Sequence, residues 1–267
     1  GLDKSLKKIR KILDNCVEKG YEKLRPIDAY DIIMHTSDAV LSGGIRRSAT
    51  LCLFSLEDEE MISAKTGNWY INNPQRARSN NSALLVRNTT PKKKFMDLID
   101  SIQQFGEPGI IFADDTETLY NPCVEISLYG YDEEGRSGIQ MCNLSEINMG
   151  NVVDEKDFYN RCRAASILGT FQAAYTDFGY LGKITQGIVE KEALIGVSMT
   201  GMMDTPKIAF NPDILREGAR IVKETNKRIA EIIGINQAAR TTCVKPAGST
   251  SCILNTSSGI HPCHAKR

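Results

Sequence analysis

No apolar run in this chain approaches the roughly 18–20 residues that a bilayer-crossing helix needs, and no signal peptide opens it. Neither sign of charge is in excess: 33 basic residues face 33 acidic ones. That balance argues against a basic nucleic-acid surface and against a polybasic membrane patch. The eight cysteines contain no Cys-x-x-Cys pair and are spread over 267 residues, so a secreted disulfide scaffold is not expected. There is no internal repeat and no low-complexity segment. These absences read as a soluble, cytoplasmic protein. What is present is ordinary for a globular chain, with 41% hydrophobic and 25% charged residues. The length allows one large α/β domain or two small ones.

Leu2, Leu6, Ile9, Leu13 and Val17 recur at helical spacing before Gly20. No start methionine precedes this helix, so the chain reads as cut. A second helical pattern opens at Pro26 and runs to about Leu41. Strand-like Ala49–Phe54 and Ala83–Val86 follow, then a helix from Pro91 to Phe105 stopped by Gly106, then Ile110–Phe112. Trp69–Pro74 reads as loop. Asp132-Glu133-Glu134-Gly135 is a turn signal between strand-like flanks, and a hairpin there would return Cys142 to the neighbourhood of Cys123. Helices are expected from Asp154 to about Leu181, Thr185 to about Leu194, and Pro212 to about Ile233, with short strands at 196–201 and 242–245. Strands alternating with helices argue for a mainly parallel sheet or barrel.

The chemistry concentrates in Asn121-Pro122-Cys123-Val124-Glu125-Ile126, with Cys142 following. In an extended run, Asn121, Cys123 and Glu125 point to one face, bringing an amide, a thiol and a base together. Cys16, Cys52, Cys162 and Cys243 read as core thiols. Gly43-Gly44-Ile45-Arg46-Arg47 could grip phosphate or a base edge, or be a plain loop with solvated arginines. Ser79-Asn80-Asn81-Ser82 at a strand end could line a site or cap a turn. Pro246-Ala247-Gly248-Ser249-Thr250-Ser251 could cradle a phosphate or form a strand-to-turn, and without a Walker lysine it is no P-loop. His261, Cys263 and His264 lack a fourth ligand at zinc-finger spacing, so no metal site is expected.

Taken in order, these segments resemble the catalytic subunit of ribonucleotide reductases, most of all the adenosylcobalamin-dependent type. Gly106-Glu107-Pro108-Gly109, Cys142-Asn143-Leu144, Gly196–Gly201, Lys245–Thr250 and Gly259-Ile260-His261-Pro262 continue the match, which covers most of the chain. The resemblance implies part of a ten-stranded α/β barrel spanning residues 1–267, with a central finger loop. It also implies that Cys123 is the radical cysteine that takes the 3′ hydrogen of the ribose, and Glu125 the base for the 3′-hydroxyl. Asn121 would bond the ribose, and Cys142 would be one of two cysteines that supply electrons. Ala247, Gly248, Ser249 and Thr250 would bind substrate phosphates. Gly44 and Arg46 would read the base, and Ser82 would contact the substrate. The implied partners are a ribonucleotide, a deoxynucleotide effector, a thioredoxin-like reductant and a complementary chain supplying further barrel segments. In the family the partner of Cys142 lies on an upstream strand. Val124 stands where the family mostly has glycine, and a β-branched residue resists positive φ. Two other readings stay open: a catalytically inactive nucleotide-binding or assembly fragment, and the same chemistry with a different radical source (class I or III).

Overall fold

The computed structural model describes residues 1–40, 48–263 and 265. It contains two compact units, Gly1–Pro122 and Cys123–Arg267. Among the described residues no helix is long and apolar enough to cross a membrane.

The first unit opens with helices α1 (Leu2–Glu18) and α2 (Pro26–Ala39). Periodicity is right about α1 but not about its surroundings. Leu2, Leu6, Leu13 and Val17 stay exposed, and Ser5 and Cys16 are its buried residues. Pro26 sits in the first turn of α2, where its missing N–H costs nothing. Strand β1 (Thr50–Ser55) leads through the short helices α3 (Glu59–Ile62) and α4 (Trp69–Asn72) to β2 (Ser79–Val86). The expected loop at 69–74 is thus partly helical. Helix α5 (Lys92–Phe105) ends at Gly106 in the left-handed region (φ 72°), and β3 (Gly109–Ala113) follows. These three strands form a parallel sheet in the order β1-β2-β3, with Leu53 opposite Ser82 and Ser82 opposite Gly109. Parallel neighbours require the helical crossovers found between them. Met34, Met61, Ala83, Leu85 and Leu98 form the core of this unit. The short strand β4 (Thr118–Tyr120) comes just before Asn121.

The second unit begins with the Cys123 turn and β5 (Ser127–Tyr129). The hairpin expected at 132–135 is present: Asp132 N–H donates to the Arg136 carbonyl, and Tyr131 bridges Ser137 antiparallel. Strand β6 (Asn143–Asn148) pairs in parallel with β7 (Ile195–Thr200), Leu144 lying opposite Gly196. Residues 241–243 extend this sheet beyond β7: Val197 N–H donates to the Thr241 carbonyl and Cys243 N–H to the Val197 carbonyl. Helix α6 (Glu155–Ala173), capped by Asp154, is shorter than its apolar pattern suggests. Helix α7 (Gly182–Glu192) follows it, and the short α8 (Pro206–Ala209) precedes α9 (Pro212–Ile233). Asn211 caps α9, and Gly234 ends it at φ 76°. Gly218 lets α9 approach α6, since a Cβ there would lie 2.7 Å from Phe158 Cε1. Ile147, Val197, Phe158, Ile214 and Val222 form the core between sheet and helices. Strand alternation therefore turns Leu144, Glu146, Gly196, Ser198 and Thr200 to the opposite face.

The expected α/β class with parallel strands is present. Among the described residues β1-β2-β3 and β6-β7 are parallel sheets, and a ten-stranded barrel is not shown.

Candidate active site

That opposite face of the second unit gathers the chemistry. Ser198 Oγ accepts the Lys245 backbone N–H at 2.8 Å, and Thr200 Oγ1 donates to the Ser257 carbonyl. Gly196 lies between two thiols. A Cβ built on it would sit 3.0 Å from Cys243 Sγ and 3.6 Å from Cys142 Sγ. Both cysteines line a cavity of about 100 Å³ together with Glu125, Ser127, Gly196 and Arg240.

The approach to Glu125 is a turn, not a strand. Val124 takes φ 66°, the left-handed region that side chains branched at Cβ resist most. The expected single face for Asn121, Cys123 and Glu125 is therefore not formed. The Cys123 residue is exposed, whereas the Glu125 side chain is 5% exposed. Among the described residues the Cys123 sulfur is not enclosed as a barrel centre would imply.

A conformational cost of about 1–3 kcal/mol is typical for such a residue. Val124→Gly removes it but adds unfolded-state entropy. A net gain of about 1 kcal/mol is expected in urea unfolding. A loss of stability would show that the valine side chain holds the turn by packing.

Glu125 Oε1 pairs with Lys245 Nζ at 3.3 Å, while its buried Oε2 has no partner among the described residues. Burial pulls the Lys245 ammonium down, but the Glu125 carboxylate beside it outweighs that and leaves it raised above an ordinary lysine. Burial, reinforced by Glu125, pushes the Cys142 thiol up to about 11. Cys243 is pushed up to about 12, again by burial first, then by Cys142 and Glu125. Both are therefore protonated thiols near neutral pH. The hairpin at 132–135 thus returns Cys142 to the wall that Glu125 also lines.

Sequence reasoning missed Lys245, Cys243 and Glu146. Cys243 was expected in the core, and it is a half-buried member of this cavity. Glu146 carries a buried Oε1 with no partner among the described residues. The period-2 alternation with Cys142 was a signal that could have placed Glu146 on this face.

Of the phosphate-loop candidates, Ala247 is fully buried, and its carbonyl accepts from Ser251 Oγ (3.0 Å) and Ser258 Oγ. Gly248 and Ser249 are exposed where the short helix α10 (Ser249–Leu254) begins, and Thr250 is half-buried. In the first unit, Ser82 is buried on β2, and a Cβ on Gly109 would lie 2.6 Å from its Oγ. Asn80 Nδ2 donates to the Pro122 carbonyl at 2.8 Å, tying β2 to the residues beside half-buried Asn121. Gly44, Arg46 and His264 lie outside the described residues. Among the described residues no cluster of His, Cys, Asp and Glu has the geometry of a metal site.

No family model matches the chain. Known proteins do. The adenosylcobalamin-dependent ribonucleoside-triphosphate reductase of Lactobacillus helveticus is 26% identical over 91% of this chain and 37% of its own length. The enzyme of the same name from Lactobacillus leichmannii is 24% identical over 95% and 38%. The similarity is to adenosylcobalamin-dependent ribonucleotide reductases. In structure, a B12-dependent class II ribonucleotide reductase superposes with a TM-score of 0.73 at 22% identity, over 96% of this chain and 39% of that one. The class Id ribonucleotide reductase alpha subunit of Actinobacillus ureae gives 0.60 at 11% identity, over 89% and 54%. These two superpositions establish a shared fold. The chain spans a little over a third of the length of the ribonucleotide reductases it matches in sequence.

Proposed function

We propose that this chain carries the thiyl-radical centre of a ribonucleotide reductase and contributes to making deoxyribonucleotides. The observation that carries this reading is the state of Glu125. It is a buried carboxylate with one oxygen held by Lys245 and the other free to accept a hydroxyl proton, and it shares its cavity with Cys142. A base of this kind must be within reach of a hydroxyl hydrogen and oriented toward it.

The relatives are named for adenosylcobalamin, which when bound supplies the starting radical. Exposed Cys123 fits such a source, because a group as large as a corrin needs open approach to the sulfur. The chain's own residues do the rest. Cys123 takes the 3′ hydrogen of the ribose, and Glu125 accepts the 3′-hydroxyl proton. The 2′-hydroxyl takes a proton from a reducing thiol pair and leaves as water. That pair also supplies the hydrogen that replaces it at C2′, and Cys123 and Glu125 return the 3′ hydrogen and the hydroxyl proton. Two electrons come from a thiol pair that becomes a disulfide, and Cys142 is one member of that pair. Its raised pKa keeps it as the hydrogen-bearing thiol until it is used. Gly248, Ser249 and Thr250, at the start of α10, offer hydroxyls and backbone N–H groups to a phosphate. Ala247, with its carbonyl already occupied, supports that turn rather than contacting the ligand. Ser82 and Asn121 keep their sequence-derived role as ribonucleotide contacts, and Gly44 and Arg46 theirs as base readers. The wider assembly includes the ten-stranded barrel, a deoxynucleotide effector, a thioredoxin-like reductant and a chain supplying further barrel segments.

The test incubates the chain with adenosylcobalamin, a dithiol and a ribonucleoside di- or triphosphate, alone and with an upstream segment of a relative. Deoxyribonucleotide is the expected product in at least one arm, and none in any arm overturns the proposal. A product-free result together with retained ribonucleotide binding would leave the second reading, a nucleotide-binding module without turnover.

A further inference from the structure

Gly196 lies on β7, between β6 and residues 241–243, and a thiol comes from each side. On one side Leu144 lies opposite Gly196, and Asn143 N–H donates to the Leu194 carbonyl at 3.3 Å. On the other side Cys243 N–H donates to the Val197 carbonyl at 3.1 Å. Strands on either side of a third stand two spacings of about 4.8 Å apart, and a side chain on the middle strand normally keeps theirs from meeting. Glycine puts nothing there. The point where its Cβ would sit is 3.0 Å from Cys243 Sγ and 3.6 Å from Cys142 Sγ, so both sulfurs lean toward the same place.

The two thiols also share the cavity of about 100 Å³ that Glu125 lines. Each is half-buried, so a small reagent can reach it. Cys142 lies one residue before β6, outside that strand's ladder. Joining the sulfurs asks for Cα atoms about 4.4–6.8 Å apart, and Cys142 is the end placed to move inward. A bond closed across a strand in this way reopens more easily than a relaxed one, as a bond that must be reduced again after each turnover requires.

We propose that Cys142 and Cys243 are a redox pair that closes across Gly196 as a disulfide, with Cys243 the partner that Cys142 uses within this chain. In the reducing step both thiols lose their hydrogens and one S–S bond forms. The two electrons and two protons go to the nucleotide, where the C2′–O bond breaks, a C2′–H bond forms and water leaves. That use of the pair rests on the proposed reductase reading; the pair itself does not. With diamide, a diazene, as the oxidant, the same two hydrogens convert N=N to a hydrazine and no nucleotide is needed.

The reduced whole chain is treated, dilute and at about pH 9, with diamide and digested without reductant. Fragmentation in a mass spectrometer then tells Cys243 from exposed Cys252 and Cys263. A Cys142–Cys243 link is expected at least about tenfold faster than any other internal link, because these sulfurs start within reach of each other. No such link, or one no faster than links to Cys252 or Cys263, overturns the proposal. Gly196→Ala puts a Cβ between the sulfurs and is expected to slow the link about tenfold. An unchanged rate in that variant also overturns the proposal, and if the variant does not fold the wild-type rate alone decides. The arms of the reductase test, repeated with adenosylcobalamin and a ribonucleotide but no added dithiol, separate the two readings. About one deoxyribonucleotide per chain is expected as the Cys142–Cys243 link forms, and at least about tenfold less from Cys243→Ser. Product with Cys142 linked elsewhere, or undiminished in Cys243→Ser, removes the pair and leaves the reductase reading. A diamide link with no product in any arm does the reverse.

Discussion

Cys123→Ser is expected to bring deoxyribonucleotide formation down to background, a loss of at least about a thousandfold, while ribonucleotide affinity stays within about twofold. The reasoning separates chemistry from folding. Cys123 is exposed and lies in a turn, so exchanging sulfur for oxygen leaves no cavity and strands no buried polar group. Substitutions at such positions usually change stability by less than about 0.5 kcal/mol. A serine hydroxyl cannot replace the thiol as a hydrogen-atom relay, because its O–H bond is much stronger. Turnover by single-turnover assay and affinity by calorimetry are the paired measurements. Residual turnover in Cys123→Ser would remove this sulfur from the mechanism. Equal affinities with no turnover in either protein would point to the nucleotide-binding module.

Gly201→Ala should cost about 2–4 kcal/mol of folding stability, seen as a lower urea midpoint with little change in slope. Gly201 has φ 76°, where an added Cβ is strained in any surroundings. Its surroundings are also full. The new Cβ would lie 2.0 Å from Thr256 Oγ1 and 3.0 Å from the Gly150 backbone nitrogen. Thr256 is held there because the Asp204 carboxylate accepts its hydroxyl and the Ser257 N–H, which keeps that carboxyl below the usual range. Moving Thr256 therefore loosens the 256–259 segment, whose Gly259 packs on the Lys245 backbone. Gly234 is the matched control. It has the same φ of 76°, but nothing lies within 4 Å of its added Cβ. Gly234→Ala should cost only about 1 kcal/mol. Equal losses at the two positions would mean that backbone conformation alone sets the cost and that the Thr256 contact contributes nothing.

Helix positions were largely legible because periodicity and caps are local. Asn211 and Gly234 bracket α9 much as the sequence marks it, and Gly106 stops α5. The Asp132–Gly135 turn was legible for the same reason. Burial was not. The apolar stripe of α1 gives a helix whatever lies beside it, yet most of that stripe stays exposed here. The conformation at Val124 could not be read from a residue that disfavours it, since only the surrounding structure can impose a positive φ there.

The sequence by itself determined the α/β alternation, the ordered motifs and the thiols and carboxylate at positions 123, 142 and 125. Tertiary structure alone decided that the Glu125 side chain is buried while Cys123 is exposed, that Lys245 pairs with Glu125, and that Cys243 lines the same cavity. The reason is that parallel strands join residues far apart in the chain: β6, β7 and residues 241–243 align through hydrogen bonds that no local pattern encodes.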